Sequence, residues 1–140
     1  DAAAFGYIIG MTGATGAGTS SDTINLFLNA DLQNNDAVDM EVDLAGINIV
    51  NINAVDRDNT DFASSDNDGY VVNLADGTAT NSANISTVNI TGSASVSYTV
   101  NTATSALATV DGSQATGRLT VDATAFGGDF HQQVDEPHLK

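Results

Sequence analysis

Apolar and polar residues alternate with a period of two through much of the chain. Val38, Met40, Val42 and Leu44 are interleaved with Asp39, Glu41 and Asp43, which predicts a strand with one apolar and one acidic face. Past Gly46, Ile47 and Ile49 continue on the opposite parity, and Val50 and Ile52 switch back. That is the signature of a bulge or of a bend between two sheets. The same alternation predicts strands through Ile24, Leu26, Leu28 and Ala30, through Tyr70, Val72 and Leu74, through Ala94, Val96, Tyr98 and Val100, and through Leu119, Val121 and Ala123. Tyr7, Tyr70 and Tyr98 fall on the apolar parities, so they are expected in the core.

Turn residues punctuate this pattern. Asp76-Gly77 and Asp111-Gly112 each separate two strand-like runs and are expected to be hairpin turns, while Asp68-Gly69 introduces the Tyr70 strand. Eight or nine short strands at this spacing predict an all-β fold, an antiparallel β-sandwich of immunoglobulin-like or jelly-roll-like form with Greek-key connections. No repeat of fixed period stands out. The only proline, Pro137, lies near the end, so proline does not blunt the sheet edges.

The N-terminal stretch is organised differently. An apolar run, Phe5 to Met11, precedes ten residues, Thr12 to Ser21, made only of Gly, Ala, Ser and Thr. A strand on so soft a leash can fold back or reach a neighbouring copy. The expected divisions are residues 1–21 as strand and leash, 22–126 as the sandwich, and 127–140 as a polar tail. This layout resembles that of donor-strand pilins and other extracellular β filaments. The resemblance implies self-assembly into a homopolymer, with Phe5, Tyr7, Ile8, Ile9 and Met11 as the inter-subunit strand. The opening Asp1-Ala2-Ala3 reads as a mature terminus left by a signal peptidase, so the expected location is extracellular or at the cell surface.

Charge narrows the partners. Eighteen acids face three basic residues, for a net charge of −15, which leaves nothing to neutralise a phosphate backbone. Nucleic acid and anionic membrane are therefore not expected partners, and a saline or calcium-bearing exterior would screen the self-repulsion. No apolar run reaches the length of a membrane-spanning helix. With no cysteine, thiol chemistry and disulfides are excluded.

Candidate chemistry is thin. Asp56, Asp58, Asp61, Asp66 and Asp68 crowd one segment and could converge on a hard cation such as calcium. The EF-hand template fails, because from Asp56 its sixth position is Asp61 and its twelfth Asn67. A solvated loop of Asx-turns is the competing reading. A glycosidase would need an acid held in an apolar pocket and a sugar platform, and the chain has no Trp. His131 and His138 both lie in the tail, which argues against a triad. The glycines from Gly10 to Gly18 lack a phosphate-loop lysine. Asn84-Ile85-Ser86 and Asn89-Ile90-Thr91 match the glycosylation sequon, as chance allows in a chain this rich in Asn, Ser and Thr. The expected protein is not an enzyme. It is a structural subunit or, alternatively, a monomeric adhesin or ligand-binding module stiffened by calcium.

Overall fold

The computed structural model describes residues 5–10, 22–30, 37–45, 47–57, 69–75, 85–99 and 107–122. They contain nine strands: β1 (Phe5–Gly10), β2 (Thr23–Ala30), β3 (Ala37–Ala45), β4 (Ile49–Asp56), β5 (Gly69–Ala75), β6 (Thr87–Gly92), β7 (Val96–Thr99), β8 (Thr109–Ala115) and β9 (Leu119–Asp122). Odd-numbered strands form one sheet in the order β1-β3-β5-β7-β9, and even-numbered strands form the other, β2-β4-β6-β8. All pairings are parallel. The chain thus coils, laying one strand in each sheet per turn, as a two-sheeted β-solenoid.

This overturns the expected antiparallel sandwich. Alternation fixes which face of a strand is apolar, and it is blind to the direction of the neighbouring strand. The hairpin reading failed at Asp111-Gly112, which lies inside β8 instead of between strands. There the register against β6 slips by one residue, because Asn89 faces Asp111 but Thr91 faces Gln114. Asp111 holds the local bend by accepting the Ser113 N–H at 2.9 Å, an Asx-type contact within a bulge. Asp76-Gly77 lies outside the described residues. The parity switch near Gly46 does correspond to a change of sheet, from β3 to β4.

The core lies between the sheets. Val42, Leu44, Tyr70, Val72, Leu74, Val96 and Tyr98 from one sheet meet Leu26, Leu28, Val50, Ile52, Ala54, Val88, Ile90 and Val110 from the other. Ile47, Ile85 and Leu107 stack just ahead of β4, β6 and β8 and are also buried. Beside them a backbone spine repeats: Asn48 and Ile49 donate to Asp22 O, Ser86 and Thr87 to Asn48 O, and Ala108 and Thr109 to Ser86 O. Each coil therefore rests on the one before through the same pair of hydrogen bonds. Tyr70 and Tyr98 are in the core as expected, 2% and 0% exposed.

Candidate functional site: the two ends of the coil and the amide row

A parallel stack buries each strand between its two neighbours, so its first and last strands differ from the rest. Among the described residues no strand pairs with the outer edges of β1, β2, β8 and β9. Burial follows. Inward residues of the middle strands, such as Val50, Val72, Val88 and Ile90, are 0% exposed. Ile24 on β2 and Leu119 and Val121 on β9 are only partly buried, as are Val38 and Met40 on β3 near the start of β1, although Val110 on β8 is 1% exposed.

The outward face of β2-β4-β6-β8 carries a row of amides. Asn25, Asn51, Asn89 and Asp111 are level with one another. Asn51 Nδ2 donates to Asn25 Oδ1 at 2.8 Å, and Asn89 Nδ2 donates to Asn51 Oδ1 at 2.8 Å. Such in-register ladders reinforce parallel stacking, because every rung supplies both a donor and an acceptor. A second row begins beside it, with Asn53 Nδ2 donating to Thr91 Oγ1 at 3.1 Å. Asn89 also belongs to a sequon, but its amide sits mid-strand and is committed to Asn51.

These rows carry a sequence signal that the fixed-period search missed. Ile47-Asn48-Ile49-Val50-Asn51-Ile52, Ile85-Ser86-Thr87-Val88-Asn89-Ile90 and Leu107-Ala108-Thr109-Val110-Asp111-Gly112 share an aliphatic residue, then Val three positions on, then Asn or Asp. Aligning these short segments without demanding equal spacing would have exposed the coil.

The residues singled out from sequence are placed as follows. Phe5, Tyr7, Ile8 and Ile9 lie on β1, which pairs with β3 of the same chain, Phe5 level with Met40 and Ile9 with Leu44. Met11 and the leash lie outside the described residues. Asp56 ends β4 and is 9% exposed. Asp58, Asp61, Asp66 and Asp68 lie outside the described residues, as do His131 and His138. Among the described residues no three acids or histidines gather as metal ligands, and no helix is long and apolar enough to cross a membrane. The chain matches no known protein-family model, no curated protein and no solved structure.

Proposed function

We propose that this chain is an extracellular structural subunit whose copies associate end to end into a filament. The observation that supports this most is the contrast between closed middle and open ends: inward Ile24, Leu119 and Val121 are half-covered at strands whose outer edges are unpaired among the described residues. A solenoid end without a polar cap exposes both apolar surface and backbone hydrogen-bonding groups, and a further coil of the same geometry satisfies both. Head and tail are different surfaces, so the contact does not close and propagates. In this reading β1 is not donated out of its own sheet as expected from sequence: it stays paired with β3 of its own chain and offers its other edge to a neighbour.

Fifteen net negative charges per copy oppose stacking, and at 0.1 M salt a Debye length of about 10 Å screens much of that repulsion. Association is therefore expected to strengthen with salt. Sedimentation velocity and negative-stain microscopy across ionic strength test this: linear polymers that lengthen with salt support the reading, and a monomer at every salt and protein concentration removes it. A second reading, a monomeric adhesin or ligand-binding module, draws on Phe27, which is 77% exposed on the amide-bearing face. That reading requires the monomer.

A further inference from the structure

The amide row has a direction. Each amide donates toward the N-terminal end of the coil, Asn89 to Asn51 and Asn51 to Asn25. Among the described residues Asn25 Nδ2 then has no acceptor, and the next rung in that direction would have to supply one. At the other end the row finishes on Asp111, level with Asn89. An ionised carboxylate accepts only, with about four acceptor sites, one of which holds the Ser113 N–H. It cannot continue the row by donating, and it is suited to receive from a rung beyond.

Resting on the end-to-end reading, we propose that β2 of each copy adds in parallel beside β8 of the preceding copy, with Asn25 level with Asp111, so that the amide row runs unbroken through the junction. The neighbouring positions agree with this register. Thr23 meets Thr109 and Ile24 meets Val110, polar outward with polar outward and apolar inward with apolar inward. A slip of one residue would turn every inward side chain outward. The β8 bulge falls after Asp111, so Thr109–Asp111 stays straight and is the stretch available for pairing.

The other sheet fits the same translation. Phe5, Met40, Val72, Tyr98 and Val121 share one level, and Gly6, Glu41, Asn73, Thr99 and Asp122 the next. Continuing the stack sets Val121 beside the next copy's Phe5 and Asp122 beside its Gly6. Both acids on the C-terminal edge, Asp111 and Asp122, thus face neutral residues. In so acidic a chain this register avoids carboxylate against carboxylate along either edge.

Because the chain has no cysteine, the double variant Asn25→Cys/Asp111→Cys reports the junction directly. Paired strands lie about 4.8 Å apart, within the roughly 4.4–6.8 Å that a disulfide spans, whereas within one copy these positions are three strand spacings apart. Oxidation is expected to give a ladder of covalent oligomers on a non-reducing gel, while the slipped pair Thr23→Cys/Asp111→Cys gives little. Asp111→Asn keeps an acceptor in the row and is expected to assemble as well as the parent. Asp111→Lys is expected to raise the concentration needed for assembly roughly tenfold or more, the equivalent of one hydrogen bond to a charged group. Thermal melts by circular dichroism check that each variant folds. Filaments in micrographs without 25–111 cross-links, or equal cross-linking of the slipped pair, overturn this junction and leave end-to-end association standing. Absence of both filaments and cross-links overturns both. So does a monomer whose β8 amides resist hydrogen exchange until residues 123–140 are removed, because the chain's own tail would then cover the edge.

Discussion

The middle coils and the end coils use the same residue types at the same levels, yet burial is uniform only in the middle: on the end strands Val110 is 1% exposed, while Ile24, Leu119 and Val121 are only partly buried. Ile52 and Ile90 are 1% and 0% exposed, while Leu26 and Leu28, on the first strand of that sheet, keep 8% and 7%. Ile24, Leu119 and Val121 are more open still. In a sandwich, burial is set by the facing sheet. In a parallel stack it is also set by the coils above and below, so stability is largely a sum over neighbours. The ends are therefore the less tightly packed parts of one continuous structure, and the parts through which association is proposed.

Truncating a side chain in each region gives the largest test. Ile52→Ala removes a sealed side chain with neighbours on every side and is expected to cost about 2–5 kcal/mol. Leu119→Ala removes a half-open one and is expected to cost well under half as much in dilute, low-salt solution. Urea titrations of both variants compare them. Equal losses would mean that the C-terminal end is already covered in the single copy, and the contrast between middle and end would collapse.

Glycine sharpens the same contrast. Gly92 ends β6 with φ of +106°, and a Cβ there would run into the Ala54 carbonyl oxygen. Gly92→Ala thus combines a left-handed backbone with a clash against main chain that cannot yield, at an expected cost of roughly 1–3 kcal/mol or more. Gly112, in the outermost strand, faces the Leu119 side chain, which is half-exposed and can swing away. Gly112→Ala is expected to change the urea midpoint by less than a third of the Gly92→Ala shift. A larger effect at Gly112 would show that Leu119 is held as firmly as a middle-coil residue.

The strand faces were legible because alternation depends only on a strand's two sides: Val42, Leu44, Tyr70, Val72, Val96 and Tyr98 all point inward as the sequence pattern predicts. β6 and β8 were harder. Thr87–Gly92 and Thr109–Ala115 are rich in Asn, Thr, Ser, Gly and Asp, residues that suit turns, and here they make sheet because parallel neighbours turn Asn89 and Asn51 into a ladder. The coil itself was hidden by unequal connections. Successive members of the level Phe5, Met40, Val72, Tyr98 and Val121 are 35, 32, 26 and 23 residues apart, so no fixed period survives in sequence. Loop closure entropy rises only slowly with length, so a solenoid tolerates such variation. The candidate site was less legible than the fold, because Asn25 and Asp111 acquire meaning only once register sets them on one row.

At neutral pH the smallest effect separates two buried tyrosines of the same sheet. Tyr70 Oη donates to the Val55 carbonyl at 3.0 Å, whereas Tyr98 Oη is buried without a hydrogen-bond partner among the described residues. Removing the Tyr70 hydroxyl is expected to cost about 1 kcal/mol, since it leaves a carbonyl behind, and Tyr98→Phe is expected to be neutral or slightly stabilising at pH 7. Alkali then separates Tyr98→Phe from the parent more clearly. Burial pushes the Tyr98 hydroxyl from 10.0 up to about 12, because the phenolate would lose its water. The stability linked to this group is complete below pH 10 and is lost as pH rises toward about 12, where the unfolded chain has released a proton that the native chain still holds. That loss amounts to roughly 2–3 kcal/mol. Tyr98→Phe lacks it, and the remaining tyrosines are common to both proteins, so the stability difference between variant and parent is expected to widen in the variant's favour from pH 10 to 12. Urea midpoints at successive pH values measure it, and curves that stay parallel over that range would show that water reaches Tyr98 and that the middle of the coil is not sealed.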